Sequence, residues 1–590
     1  MIVTDYFRFI FVDRFGPVSD MFGSMPTLDY VLNISVYSII TLALSLAVAI
    51  GLGVFLGTLV SSKQGGKFDA FVTIAVLVPF SFPVWWVALA LRSYLYPPFP
   101  AFNWYSNRWI WESPWSDVSG FTLDFLSHAF LPILCFVASL MGIYLLVARN
   151  SLREVYTENY ITTAKAKGLS PLRIMFKHAL RNAMIPVVSA VALTPPLLML
   201  ATILTERVFS RSGLGEMLLR TSMDPSLSRA VAPSPLLQAV FIVLSTVVIV
   251  VHFLVDISAS FLDPRIRTDG AGLPIRGDET GRLRMSLPLR KRFLEFLRGF
   301  MKGYSGKFGL GVILFFALAG LLVPYLPIPD PSKIGVTMPD PFQPPNLNHL
   351  LGTDEYGRDM LAMILWGARS SVIEGLGAVA LALVIGYFVG LFAGYLNDHW
   401  IGYLLDRATD LFLSIPIIVV AVYFPNILST ETSALKWLFA VGLTTWPFTA
   451  KLVRAAVISA KDKPFVEASR AAGAGRIHIM FRVLLPDCLP AAASSLPLLA
   501  VTALSIQSSL DYLGFQRNLW SRVDPVLLAP YSSWGTILSY GAQSFFAKKW
   551  WVMFPPAICI ALFGLALIAI GNKTMEVVNP RLSRTLIPEL

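Results

Sequence analysis

Residues 464–487 read "PFVEASRAAGAGRIHIMFRVLLPD", a charged, glycine-punctuated stretch in a chain otherwise rich in apolar runs, and residues 159–182, "NYITTAKAKGLSPLRIMFKHALRN", repeat it. One offset aligns the two copies: 473 − 168 = 305 for the glycines, and the same for Ala166/Ala471, Ile174/Ile479, Met175/Met480, Phe176/Phe481 and Leu180/Leu485. An internal repeat constrains architecture before any local motif does. After each glycine the apolar residues fall at i, i+3, i+4 and i+7, as Leu172, Met175, Phe176, Ala179 and as Ile477, Met480, Phe481, Leu484. That spacing predicts a helix with one apolar face. Lys165, Lys167, Arg173 and Lys177 flank one copy, and Arg470, Arg476 and Arg482 the other. Such a segment is too polar to cross a bilayer. A single copy would read as an interfacial helix lying on lipid headgroups; two copies at one offset favour segments shaped to engage a two-fold partner.

The surroundings are those of an integral membrane protein. Of 590 residues, 55% are hydrophobic and 14% charged, with a mean hydropathy of +0.65, against roughly 25% charged in a soluble domain. Windows long enough to span the hydrocarbon as helix fall near 35–60, 71–95, 129–147, 185–205 and 236–258, then near 308–327, 373–396, 410–428, 435–450, 489–508 and 551–571. The expectation is an all-α, polytopic protein of about eleven transmembrane helices in two parallel homologous halves of five and six. An external segment, 1–34, precedes the first half, 35–262, and a linker, 263–307, precedes the second, 308–590. The linker carries 11 Lys/Arg and 5 Asp/Glu, thus +6 of the net +11. The positive-inside rule places it in the cytoplasm. Alternation then puts residues 61–67, both repeated segments and the C-terminus inside, and the N-terminus outside. Basic charge gathered on one membrane face needs no nucleic acid to explain it. Cys135, Cys488 and Cys559 share no ligand spacing and read as packing residues.

At these residues the chain resembles the permeases of ATP-binding-cassette importers, in the dipeptide and oligopeptide transport family. The first half is similar to one permease through 160–186, "ERVFSRSGLGEML" (206–218) and "DPRIR" (263–267). The second is similar to its companion through "LGTDEYGRDMLAMILWGARSSVIEGL" (351–376), "DRATDLFLSIP" (406–416) and the opening stretch. The resemblance implies a type I importer fold with two cytoplasmic coupling loops, the first containing Tyr160, Thr163, Ala164, Lys167, Gly168 and Ile174, the second Phe465, Glu467, Ala468, Ser469, Ala472, Gly473 and Ile479. It implies two ATPase subunits as partners, which bind the ATP and magnesium, a solute-binding protein outside, and di- or oligopeptides, an oligosaccharide or nickel as solute. Three departures stand out. The chain is expected to open at the external segment that follows the family's extra first helix, both permeases share one chain, and "NPRLS" (579–583) lies 579 − 263 = 316 residues beyond "DPRIR". Extra residues in the second half are expected within 516–533.

The absent motifs matter as well. No phosphate-binding loop of the G-x-x-x-x-G-K-[ST] type occurs, so the chain is expected to be non-catalytic and to hold no cofactor. No metal-ligand spacing occurs among the six histidines. His252 and Asp256, one turn apart in a span, are candidate pathway residues because ionisable groups at membrane depth carry function by default. Glu206, at a span's outer end, reads as structural. A secondary transporter with parallel repeats is the alternative, and it would be expected to carry more buried ionisable residues.

Overall fold

The computed structural model describes residues 17–20, 23–62, 66–96, 99–100, 102–106, 116–156, 158–192, 194–223, 235–262, 297–329, 331, 341–414, 433–513, 533–546 and 548–578. A short antiparallel hairpin, β1 (Pro17–Asp20) and β2 (Gly23–Pro26), leads into helices. In the first half these are α1 (Thr27–Ser62), α2 (Lys67–Ser81), α3 (Val84–Leu95), α4 (Val118–Val155), α5 (Asn159–Ala166), α6 (Leu180–Ala192), α7 (Pro195–Val208), α8 (Leu214–Met223) and α9 (Pro235–Leu262). In the second they are α10 (Tyr304–Leu322), α11 (Met360–Tyr395), α12 (Trp400–Ser414), α13 (Ser433–Lys461), α14 (Pro464–Ala471), α15 (Leu489–Tyr512), α16 (Trp534–Phe546) and α17 (Trp550–Val578).

Among the described residues, α1, α4, α10, α11 and α17 are each long and apolar enough to cross a membrane alone. The run 71–95, expected as one span, is the pair α2 and α3, bent by 99°. The bend has a local cause. Pro83 disfavours helical backbone at the residue before it, and Phe82 sits at φ −82°, ψ 148°. The run 185–205 is likewise divided, into α6 and α7, with Thr194 and two prolines at the join. The first helix starts at Thr27, eight residues before the expected start of the first span. Most of the linker, the end of the 410–428 run and residues 516–532 lie outside the described residues.

The repeat extends to backbone packing. In a bilayer, helices gain close contact where small residues let backbones approach. A Cβ on Gly53 of α1 would meet Tyr144 Cβ, Met141 O and Leu145 N of α4, at 2.7, 2.9 and 3.1 Å; one on Gly386 of α11 would meet Thr449 Cβ, Trp446 O and Ala450 N of α13, at 2.6, 2.5 and 3.1 Å. The α4 and α13 residues are again 305 apart, while the glycines are 386 − 53 = 333 apart. Gly57 and Gly390 repeat the arrangement one turn on. The halves therefore share one helix pairing, and the connection between the paired helices is 28 residues longer in the first half (333 − 305). Apolar clusters cross both halves, the larger holding Trp85 and Leu204 of the first with Leu504, Trp534 and Phe563 of the second.

Candidate functional site

The duplicated polar segments have the same local structure. α5 and α14 correspond residue for residue at the offset of 305, and so do two π-helical turns, Ile174–Ala179 and Ile479–Leu484. α14 opens on Pro464, whose missing N–H is harmless in a first turn. Each short helix closes in the same C-cap. Gly168 N–H donates to Lys165 O at 2.9 Å and Leu169 N–H to Ala164 O at 3.3 Å; Gly473 N–H donates to Arg470 O at 2.9 Å and Ala474 N–H to Ser469 O at 3.1 Å. This is the Schellman pairing, which needs a left-handed residue. Gly168 has φ +71° and Gly473 φ +82°. A Cβ at either glycine would meet nothing within 4 Å, so conformation, and not space, calls for glycine.

The π turns change which residues point inward. A π turn bonds i to i+5, so residues five apart stack on one face. Ile174, Met175 and Ala179 are buried, as are Ile479, Met480 and Leu484, while Phe176, Phe481 and Ile477 of the expected α-helical stripe are exposed. Before the glycines, Ile161 and Val466, again 305 apart, are both fully buried. Tyr160, Thr163, Lys167 and Gly168 face outward in one segment, and Glu467, Ala468, Ala472 and Gly473 in the other. Ala164, Ile174 and Ile479 point into the protein, and Phe465 and Ser469 are half-buried. Tyr160 is further fixed by Asn182, whose amide donates to its hydroxyl at 2.8 Å. Tyr387 anchors the second segment by donating to Leu485 O.

Ion pairs secure the helices that enter these segments. Arg149 on α4 contacts Asp69 on α2 at 2.6 Å, with Arg153 at 3.3 Å. Its counterpart Arg454 on α13 contacts Asp406 on α12 at 3.2 Å, joined by Lys451 at 2.7 Å. At the offset of 333 Asp69 corresponds to Gly402, one turn before Asp406. A Cβ at Gly402 would lie 2.1 Å from Leu396 O. No side chain fits there, so the acid stands a turn later.

The opposite end carries a second duplicated device. Buried Glu206, at the end of α7, accepts from Ser38 Oγ at 2.5 Å and from the N–H groups of Gly215 and Glu216 at 2.8 and 3.0 Å. Asp511, 305 residues on, accepts from Ser533 Oγ at 2.6 Å, beside the first turn of α16. Ser38 Oγ also accepts from Leu214 N–H at 3.2 Å, and Ser371, 333 residues on, accepts from Trp534 N–H at 2.9 Å. In both halves a serine and a carboxylate thus hold the start of a short helix, α8 or α16, whose first N–H groups have no partner within the helix. Asp511 was within reach of the sequence repeat, but α8 and α16 were not, being too short to read as spans. The change of register between Asp511 and Trp534 puts the extra residues of the second half there, as expected. His252 and Asp256 lie on α9, and their side chains are outside the described residues.

The halves meet where α3 touches α15. Trp85 Nε1 donates to Ser508 Oγ at 3.2 Å, and the Trp85 ring stacks on Tyr512 at 4.2 Å. Among the described residues no group of three or more His, Cys, Asp and Glu side chains could hold a metal ion. The chain also matches a family profile twice: "binding-protein-dependent transport system inner membrane component" fits residues 49–268 and again residues 386–584. The chain belongs to this family. It is a permease component of a binding-protein-dependent ATP-binding-cassette importer, with two permease copies in one multi-pass inner-membrane polypeptide. Similar curated proteins match about half of it. A putative peptide transport system permease of Brucella suis is 31% identical over 285 residues, 48% of this chain and 90% of that protein. The di/tripeptide transport system permease DppC of Pseudomonas aeruginosa is 32% identical over 295 residues, 49% and 92% respectively. The oligopeptide transport system permease OppC of Bacillus subtilis is 27% identical over 277 residues, 47% and 85%.

Proposed function

We propose that this permease forms the translocation pathway for di- or oligopeptides and that its two helix–glycine–π segments are the docking points of two ATPase subunits. The observation that carries the reading is the pairing of identical backbone with outward-facing polar side chains at one end of both halves. Peptide as solute is supported by the similar permeases, which are named as components of peptide transport systems. ATP and magnesium belong to the ATPases. A solute-binding protein delivers peptide at the end carrying α8 and α16, outside the membrane, and the end bearing the segments and the C-terminus is cytoplasmic. The permease itself turns over no ATP. The segments present different chemistry: Thr162, Thr163 and Lys167 stand where the second has Glu467, Ala468 and Ala472. Two non-identical ATPases fit that difference.

Transmission requires a stiff segment, because a loose one would absorb ATPase closure instead of tilting the spans. The cap and the π turn supply the stiffness, and the buried isoleucines join the segment to the bundle. Gly168→Val and Gly473→Val test this in proteoliposomes holding the permease, its ATPases and its binding protein. The expected result is a folded, inserted chain with weakened ATPase assembly, or with ATP hydrolysis uncoupled from tripeptide uptake. Normal uptake per assembled complex in both variants would show that the glycines are helix caps only.

A further inference from the structure

At the junction of the halves, next to the Trp85–Tyr512 stack, lies a cavity of about 40 Å³ bounded by α4 and α7 of the first half and α15 of the second. We infer that this cavity is a solute subsite that takes an uncharged, amphipathic peptide segment, holding its amide groups on one wall and an aliphatic side chain on the other. The inference rests on the peptide reading above and goes beyond it by naming the residues and the selectivity.

Three observations carry it. First, Ser139 lines the cavity, is buried to 6% exposure, and its Oγ has no hydrogen-bond partner among the described residues. A buried hydroxyl without a partner is costly, and such groups normally find a ligand or water. Second, the two walls are equivalent helices with opposite chemistry. At the offset of 305, Leu200 of α7 corresponds to Ser505 of α15 and Leu204 to Ser509, and all four line the cavity. The repeat has preserved the helix and exchanged leucine for hydroxyl on one side only. Thr502, a turn before Ser505, extends the hydroxyl wall. Third, no Asp, Glu, Lys, Arg or His lines the cavity. A charged side chain or a hydrated metal cation would lose its water there without a compensating partner, so the lining favours neutral solute segments. At its present volume the space holds water or a methyl-sized group, so the subsite takes a peptide segment only when the surrounding helices part during transport.

The test uses the full chain assembled with its ATPases and binding protein in proteoliposomes, supplied with trialanine or trileucine, and reads peptide imported per ATP hydrolysed. Ser505→Leu gives the second half the residue of the first, and Leu200→Ser does the reverse. Ser505→Leu and Ser139→Ala should each lower trialanine import per ATP by roughly three- to tenfold while binding-protein-stimulated ATP hydrolysis persists, the scale of one or two lost hydrogen bonds. Leu200→Ser should lower trileucine import relative to trialanine by about fivefold, the scale of one aliphatic contact. Unchanged ratios in all three variants, with hydrolysis intact, would show a water-filled packing gap only. Should a variant fail to assemble, Ser505→Cys in a cysteine-free chain provides a second measurement. Saturating trialanine should slow its labelling by a methanethiosulfonate reagent during turnover, and labelling at an unaltered rate would overturn the subsite. Import of neither peptide by the unaltered complex would instead overturn the peptide reading itself, and with it the amide-binding role of the hydroxyls.

Discussion

The two halves of this permease share backbone geometry at the paired glycines and at the helix caps, yet they differ in side chains on the outward faces of the duplicated segments and across the cavity. Gly53 and Gly386 press on matching atoms of matching helices, and Gly168 and Gly473 close matching caps. In contrast, Lys167 and Ala472 occupy one outward position with different charge, and Leu200 and Ser505 occupy one cavity position with opposite polarity. The difference separates two kinds of constraint. Packing geometry is shared where the paired helices touch, whereas the chemistry presented on the outward faces diverges, as the proposed docking of two unlike ATPases requires. Fusion into one chain fixes their one-to-one pairing and holds the halves at an effective concentration on the order of millimolar.

The largest asymmetry expected on mutation is at the ion pairs. Asp69 pairs with two arginines, Arg149 and Arg153, at 2.6 and 3.3 Å. The second half spreads the same task over Asp406 and Asp410, both within reach of Lys451 at 2.7 and 2.5 Å. Asp69→Asn should therefore cost about 2 kcal/mol, since it removes the carboxylate shared by two half-buried arginines, while Asp406→Asn should cost about 1 kcal/mol because Asp410 remains. Unfolding midpoints in detergent measure the difference. Equal losses would remove the claim that the networks differ in redundancy.

The carboxylate caps give a smaller contrast. Glu206 accepts from three described donors, Ser38 and two backbone N–H groups, and Glu206→Ala should destabilise by about 2 kcal/mol; Asp511→Ala should cost nearer 1 kcal/mol. A larger loss at Asp511 would reverse the ranking. The caps beside the π turns should respond least and alike. Gly168→Ala and Gly473→Ala meet no steric obstacle, so each should cost only the roughly 1 kcal/mol of a left-handed alanine. Unequal values, read by hydrogen exchange at Leu169 and Ala474 N–H, would show that the segments are less equivalent than their dihedrals imply.

Much of this was legible in the sequence, for reasons that also explain what was not. The repeat was visible because Gly168/Gly473 and the residues after them keep one offset, and the glycines' left-handed backbone follows from a polar helix ending where a second begins. Of the inward set Ile174, Met175 and Ala179, the last two lie on the expected apolar stripe and only Ile174 escapes a 3.6-residue period, because a π turn bonds residues five apart. The 99° bend was hidden by hydropathy: residues 71–95 stay apolar through it, and only Pro83 marks the break. Prolines also explain the division of α6 from α7. Pro195 and Pro196 stand where α15 has Ala500 and Val501 and runs through without interruption. Asp511 could have been found by carrying Glu206 forward along the repeat, but its significance depended on α16, which hydropathy does not mark. The cavity needed coordinates, since Ser139 is brought to Ser505 only by the packing of the halves.

The central claim is that one chain presents two docking segments of equal backbone and unequal surface to two ATPases. Native mass spectrometry of the permease purified with its co-expressed ATPases tests it most directly. The account predicts one permease chain with two ATPase subunits, falling to one on Lys167→Glu with Thr163→Arg in the first segment, and losing the other on Glu467→Lys with Ala472→Arg in the second. A complex with a single ATPase in the unaltered protein, or loss of both subunits on altering either segment alone, would contradict it.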